Sequence, residues 1–336
     1  MLIFSQNMYK SSTLYALQIL QSLTGGTMKS IQTKLIMLIL CCVLLATALV
    51  GSVAILDSER VIDEDSANIM NLTCSEKAAE INALLNSVEQ SVGTLAFYTK
   101  TEITSAERLQ NDPAYLADLT MRIEKVAANI ASSTYGAVAV YLRFDPNLTY
   151  PTAGFFSYKE NVNGAFKALP PTDLSAYSSS DDNYVGWYHL PLKKGFPTWI
   201  PPYVNRNINI NMISYVVPIY IDSRIIGVVG MDINFDLLTK SVSNIKVYES
   251  GYAFLIDNYG HIMYHKTLPY NTGIFELEHL GALRSSLAYG SSHNTLIKYP
   301  WDGQWLSAAY TMVCAWGSLL PPPRLTVLKT ILLSES

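Results

Sequence analysis

The chain has 336 residues and a net charge of −4; 15% of its residues are charged and 49% are hydrophobic. A chain of this length allows two domains of ordinary size, each with a core of its own. Lys and Arg form no extended basic run, which argues against nucleic-acid binding because neutralising phosphates requires a basic face.

An uncharged apolar stretch, residues 35–56, predicts a transmembrane helix. It is long enough to cross about 30 Å of hydrocarbon at about 1.5 Å per residue. Lysines precede it and acidic residues follow it, so the positive-inside rule predicts a single-pass cell-membrane protein with residues 1–34 in the cytoplasm and its bulk outside. Residues 1–27 resemble sequence upstream of a second start at Met28. A cleaved signal peptide is the alternative, although its apolar part is usually shorter.

The residues after the apolar stretch have the periodicity of an amphipathic helix. From Ser58 to Leu109 hydrophobic residues recur every three or four positions, with no proline and one glycine. This pattern predicts a long stalk that also forms a homodimer seam; two packed helices with a break near Thr101 are the alternative. A further helix is predicted from Pro113 to Ser132, so that 57–133 is helical.

The periodicity then changes to that of β-strands. The predicted strands cover residues 136–144, 197–204, 212–221 and 225–233 in a first set, and residues 252–257, 261–265, 294–299 and 304–313 in a second set. A hairpin is expected at Asp222-Ser223-Arg224 and a short helix from Phe235 to Val242, whereas residues 147–182 are predicted to be a long loop region with at most short strands. Strands with few helices between them predict antiparallel sheets and the α+β class, here as two similar modules in tandem.

The order of these elements resembles the double Cache (dCache) sensor domain of bacterial chemoreceptors, histidine kinases and diguanylate cyclases. The resemblance covers about residues 57–315, and the residues that carry it are Trp187-Tyr188, Trp199 with Pro202-Tyr203, Tyr215 with Pro218, Gly227–Ile233 and Gly251–His265. It implies two PAS-like antiparallel-sheet modules on a long helix, membrane-distal over 134–243 and membrane-proximal over 244–315. It also implies that the chain is the extracytoplasmic sensor region of a signal-transduction receptor, with its small-molecule ligand in the distal module.

The amino-acid-binding branch of that family uses a recognisable set of residues. An Arg two positions before a Trp-Tyr pair holds the ligand carboxylate, while a Tyr, an Asp and a later Asp in a G-x-x-G-x-D strand hold the ammonium. The resemblance therefore implies a ligand site formed by Trp187, Tyr188, Tyr203, Asn205 and Asp232.

Three positions depart from that pattern: Val185 stands in place of the Arg, Asn205 in place of the intermediate Asp, and Ser180 in place of an upstream Tyr. A buried carboxylate without an Arg loses a charge-assisted pair. An ammonium keeps Asp232 and the aromatic rings, each ring worth about 0.5–2 kcal/mol. We therefore expect an amine or other cationic or neutral small molecule in preference to an α-amino acid, unless Arg206 replaces the missing Arg.

Four of the predicted site residues also have a purely structural interpretation. Trp187 and Tyr188 could be core aromatics, and Tyr203 could be a turn residue. Asp232 could cap the helix that starts near Phe235, because Asp is a favoured N-cap residue.

No sequence feature predicts a cofactor, a metal site or a catalytic site. His261 and His265 would lie on one face of a strand with no third ligand, and the common hydrolase and nucleotide-binding strings do not occur. A disulfide between Cys74 and Cys314 is left open. The competing functions are a surface-anchored structural or solute-binding protein and an enzyme with an unrecognised site.

The last segment, residues 316–336, departs from the expected pattern at Pro321-Pro322-Pro323. The apolar residues 325–333 are too few to span a membrane. We interpret the segment as an aberrant or truncated tail, with a frameshift or premature stop near Ala315 that removes the output domain.

Overall fold

A computed structural model describes residues 31–160, 164–205, 207–247, 251–257, 260–277, 297–301, 304–313 and 328–335. The chain divides into two units, Met1–Asp65 and Ser66–Ser336, and helix α1 (Ile31–Glu102) contributes residues to both.

The first unit contains the expected membrane span. Its apolar side chains are exposed, among them Leu35, Leu44 and Leu49. Within the described ranges, α1 is the one helix that is long and apolar enough to cross a membrane, and none of its apolar window is buried by protein.

In the second unit, α1 buries one face, which includes Met70, Ile81, Val88, Val92 and Leu95. The helix is 72 residues long and ends at Glu102, close to the break expected near Thr101. Ser105 caps helix α2 (Ala106–Asn111) by accepting hydrogen bonds from two backbone N–H groups. Asp112 caps helix α3 (Pro113–Ser133), whose first residue is a proline that needs no N–H partner there.

The first sheet is antiparallel, with the strand order β3-β2-β1-β6-β5-β4. Its strands are β1 (Ala137–Phe144), β2 (Gly154–Tyr158), β3 (Lys167–Leu169), β4 (Thr198–Asn205), β5 (Ile210–Ile221) and β6 (Arg224–Asn234). The expected hairpin joins β5 and β6 through Asp222 and Ser223, with φ values of 50° and 64°. Two consecutive positive φ values are typical of the type I′ turn, whose twist matches that of the flanking strands.

Both faces of this sheet are covered. Val140, Leu142 and Phe144 pack in the core that α1 and α3 also form. On the opposite face, Tyr141 packs with residues of helix α4 (Asp182–Lys194), which the sequence analysis left unassigned. Strand β1 is therefore buried on both sides, with Tyr141 facing α4 and its neighbours Val140 and Leu142 facing the opposite way.

Strand β4 forms one edge of the sheet and is irregular in its middle. Its register against β5 shifts between Ile200 and Tyr203, where Pro201 and Pro202 stand. Proline has no N–H to contribute to a ladder, which confines it to edges and bulges. The irregularity separates Trp199 from the end of the strand that carries Tyr203 and Asn205.

Helix α5 (Phe235–Ser243) connects to a second antiparallel sheet with the order β10-β11-β12-β8-β7, in which β9 also pairs with β8. Its strands are β7 (Lys246–Val247), β8 (Gly251–Ile256), β9 (Ile262–Tyr264), β10 (Ile297–Trp301), β11 (Gln304–Val313) and β12 (Leu328–Glu335). Two antiparallel sheets with flanking helices confirm the α+β class.

Strand β12 belongs to the stretch that the sequence analysis treated as an aberrant tail. It lies between β8 and β11, with Ile331 opposite Phe254 on one side and Tyr310 on the other. A run too short to span a membrane is long enough for a strand.

Candidate ligand-binding site

Helix α4 carries the Trp-Tyr pair and ends at Gly195, whose φ of 76° gives the left-handed cap. It packs on β4, β5 and β6. The Trp187 indole N–H donates to the backbone carbonyl of Tyr184 at 2.9 Å. This bond fixes the ring over the sheet, where it meets the Tyr141 ring edge-on at a centroid distance of 5.1 Å.

Strand β6 supplies the floor through its G-x-x-G-x-D segment. Gly230 lies opposite Tyr141, and a Cβ atom at Gly230 would lie 2.3 Å from Tyr141 Cζ. The second glycine of the segment therefore makes room for the Tyr141 ring. Asp232 follows two residues later on the same face, opposite Ala139 and Ser214.

These side chains line a partly open cavity of about 20 Å³. The lining residues are Tyr141, Arg143, Phe156, Thr172, Trp187, Tyr203, Asn205 and Asp232. A cavity of this volume holds about one water molecule, so a ligand of a few heavy atoms would enter by moving the lining side chains apart.

Four of the five predicted site residues line this one cavity: Trp187, Tyr203, Asn205 and Asp232. Tyr188 does not. It is buried with Val185 in the apolar cluster between α4 and the sheet, and it borders a separate groove with Asp145 and His189. Successive helical residues point about 100° apart, so only one member of the Trp-Tyr pair can face the cavity.

A short hydrogen-bond chain ends on Asp232. Ser214 Oγ donates to Asp232 Oδ1 at 2.5 Å, and the Tyr203 hydroxyl lies 2.9 Å from Ser214 Oγ. Because the Ser214 proton is engaged with Asp232, Tyr203 acts as the donor in the second bond. Asp232 Oδ2 and the Tyr141 hydroxyl have no hydrogen-bond partner among the described residues, although both atoms are buried.

Burial is the main cause of the pKa shifts of Asp232, Tyr141 and Tyr203. It raises the pKa of Asp232 to about 7, against the opposing hydrogen bond from Ser214. Burial, aided by the charge of Asp232, also raises the pKa of Tyr141 and of Tyr203 well above 10. Both phenols therefore remain neutral donors, while Asp232 titrates near neutrality.

Four lining residues were not predicted from the sequence: Phe156, Thr172, Tyr141 and Arg143. Tyr141 and Arg143 alternate with Val140, Leu142 and Phe144 in β1, a run that was interpreted only as a buried strand. The signal was an Arg within an otherwise apolar strand, since Arg is almost never fully buried without a specific reason.

The capping alternative for Asp232 is wrong. Helix α5 is capped by Asn234, whose side chain accepts a hydrogen bond from the N–H of Asp236 at 2.8 Å. Asp232 lies two residues earlier, inside β6, with its carboxylate in the cavity.

His261 and His265 both have protein partners. His261 Nδ1 lies 3.0 Å from Asp257 Oδ2, and His265 Nδ1 accepts hydrogen bonds from the backbone N–H groups of Thr267 and Leu268. Cys314 and Arg206 lie outside the described residues, so the disulfide with Cys74 and the substitute role of Arg206 stay predictions.

Comparison with known proteins places this architecture in a family. The sequence pattern described as Cache domain (dCache_1) matches residues 57–313. Over 164 residues the chain is 27% identical to the methyl-accepting chemotaxis protein PctB of Pseudomonas aeruginosa, a match that covers 49% of this chain and 25% of PctB. Over 117 residues it is 26% identical to PscA of Pseudomonas syringae pv. tomato, covering 35% and 18% of the two proteins. The chain thus matches a quarter or less of the length of these receptors.

Solved structures agree on the fold. The extracellular domain of mmHK1S-Z3, described as a histidine kinase, has a TM-score of 0.54 and 17% identity, covering 81% of this chain and 93% of that one. The sensory domain of the Campylobacter jejuni chemoreceptor Tlp3 (CcmL), solved with isoleucine bound, has a TM-score of 0.50 and 17% identity, covering 84% and 95%.

Proposed function

Because the chain belongs to the Cache domain family, we propose that its first sheet module binds a small molecule with an ammonium group, held by Asp232. A Cache region related to chemotaxis receptors is the extracellular sensor part of a signalling receptor. Cache sensor domains bind ligands without catalysis, and we propose that this chain too lacks enzymatic activity.

The observation that carries the proposal is a pair of unsatisfied polar atoms facing one cavity. Asp232 Oδ2 and the Tyr141 hydroxyl are buried without a partner among the described residues, and both residues line the cavity. An unpaired buried polar group costs roughly 1–3 kcal/mol, and an unpaired buried charge costs more. A ligand that donates hydrogen bonds to Asp232 would remove this cost.

The walls favour a cation as well. Trp187 and Phe156 both pack against Tyr141, at centroid distances of 5.1 and 6.3 Å. Aromatic faces attract an ammonium by about 0.5–2 kcal/mol each. Together with Asp232, these rings provide an anionic floor between aromatic walls, which complements an amine.

Position 185, where amino-acid-binding relatives carry their Arg, supports the exclusion of ordinary α-amino acids. Val185 is fully buried in the apolar cluster under α4 and does not line the cavity. An α-carboxylate bound beside the ammonium would therefore find no guanidinium at that place, and its desolvation would weaken binding.

We also propose that residues 35–56 anchor the chain as a single membrane span, with the Cache region outside the cell, and that the chain forms a homodimer. Exposed apolar side chains throughout that part of α1 support the anchor. We propose that the sensor is coupled to a cytoplasmic signalling domain.

Isothermal titration of the full chain in nanodiscs tests the ligand class, with primary amines, ω-amino acids and α-amino acids as titrants. We expect binding of compounds with an isolated ammonium and at least 30-fold weaker binding after Asp232→Asn. Asp236→Asn is the matched control, because Asp236 is exposed and outside the cavity. Binding of α-amino acids alone, or an Asp232→Asn variant with unchanged affinity, would contradict the proposal.

A further inference from the structure

Arg143 is a second charged residue in the wall of the same cavity. It lies on β1, is 1% exposed, and lines the cavity beside Thr172. Its Nε, Nη1 and Nη2 atoms donate to the backbone carbonyls of Ala153, Thr172 and Pro151 at 3.3, 2.7 and 2.6 Å. The guanidinium is therefore held in one place by the loop segments around it.

Arg143 forms no salt bridge in the part of the chain that the structure describes. No carboxylate lies within ion-pair distance of Arg143 there, and Asp173, which acts on it electrostatically, is exposed. Burial lowers the pKa of Arg143 to about 10. The three carbonyls occupy three of five N–H groups but do not neutralise the charge, whereas buried charges in proteins are normally paired.

Arg143 and Asp232 mark different places along the sheet. Asp232 lies opposite Ala139, and Arg143 lies opposite Val228. Four residues of strand separate these positions, or about 13 Å along the strand direction. The cavity thus has one buried carboxyl group and one buried guanidinium that form no salt bridge, set apart along the strand direction.

We propose that Arg143 is the anion-binding end of the cavity, so that the ligand carries an ammonium and a carboxylate separated by more carbons than in an α-amino acid. This inference rests on the proposed function, which assigns the ammonium to Asp232. It places the carboxylate site on β1, away from position 185 on α4. The ligand class is that of short ω-amino acids.

The carboxylate would engage the two N–H groups of Arg143 that the carbonyls leave unused. A charge-assisted bond to a fixed guanidinium is about twice as strong as a neutral one. The carbonyl contacts hold the guanidinium before the ligand arrives, so little side-chain entropy is lost on binding.

Matched pairs of compounds test this with the unsubstituted full chain in nanodiscs. β-Alanine, 4-aminobutanoate and 5-aminopentanoate are each titrated beside the amine in which a methyl group replaces the carboxylate, with glycine as the α-amino acid. We expect at least one ω-amino acid to bind ten times more tightly than its amine and than glycine. Equal affinity within every pair would overturn the inference while leaving the proposed function standing.

Variants at position 143 distinguish a charge interaction with the ligand from a role of Arg143 in folding. Arg143→Met should weaken the ω-amino acid at least tenfold and leave the matched amine within threefold, whereas Arg143→Lys should retain a preference for the carboxylate. Arg224→Met, at an exposed position on β6, is the control. Equal weakening of acid and amine by Arg143→Met would show a structural role only and overturn the inference. If neither series binds the unsubstituted chain, the proposed function fails and this inference fails with it.

Discussion

Replacing Asp232 with Asn should stabilise the ligand-free chain, and the gain should grow as the pH rises. The carboxylate is fully buried, and burial raises its pKa from 3.8 to about 7. Asn has the same shape and can still accept the hydrogen bond from Ser214. The substitution therefore removes the titratable charge and keeps the network that holds Tyr203.

The size and sign of the effect follow from the two pKa values. Below pH 4 Asp232 is protonated in the folded and the unfolded chain, so its titration contributes nothing. Between pH 4 and 7 the unfolded chain releases the proton and the folded chain retains it, so stability falls as the pH rises. Above pH 7 the loss reaches roughly 4 kcal/mol, at about 1.4 kcal/mol for each pKa unit.

Thermal unfolding of both proteins in nanodiscs, followed by tryptophan fluorescence at pH 5 and pH 8, measures the difference. The variant should be more stable at both pH values, and its advantage should be about 2–3 kcal/mol larger at pH 8. Subtracting the unfolding free energy of one protein from that of the other cancels the contributions of all other titrating groups. Asp236→Asn controls for the loss of a negative charge and should show no such widening. An advantage that is constant or shrinks with rising pH would refute the assignment of a proton to buried Asp232.

Three further predictions concern the same module. Binding of an alkylamine should tighten about tenfold between pH 6 and pH 8, because Asp232 loses its proton near pH 7; titration in buffers of both pH values measures this, and a flat profile would contradict it. Gly230→Ala should cost about 1–3 kcal/mol of unfolding free energy through its clash with Tyr141, and it should cost less in a chain that already carries Tyr141→Ala. Trp199→Phe removes the hydrogen bond of 2.8 Å to Glu89 on α1 and should cost about 1–3 kcal/mol; after Glu89→Met, which removes the acceptor, the same substitution should cost less, and additive losses in this double-mutant cycle would argue against the contact.

The strands of the first sheet could be predicted because each carries a local signal. The β-rich run that became β1 ends at a turn, and the two residues between β5 and β6 are typical of a hairpin. The pairing of Tyr141 with Gly230 could not be predicted. It depends on the register of two strands far apart in sequence, which no local pattern specifies.

The site was predicted in part, since the family pattern identifies residue types but not directions. Trp187 and Tyr188 were expected to act together, yet α4 turns Tyr188 away from the cavity. Arg143 was missed because β1 was interpreted from its hydrophobicity alone. Hydrophobicity does not distinguish the side chains that face the cavity from those that face the core. The direction of Tyr188 depends on helix α4, which was not assigned from the sequence. The direction of Arg143 depends on the face of β1 on which it lies.

The two prolines in β4 have a consequence for how copies of the protein can associate. An outer strand with free N–H groups is a template on which a neighbouring molecule can add its own strand. At Pro201 and Pro202 that template is interrupted, and Pro201 is exposed. We therefore expect crowded copies of the chain to be protected along this border from joining their sheets into aggregates, so that contacts between copies form through side chains elsewhere.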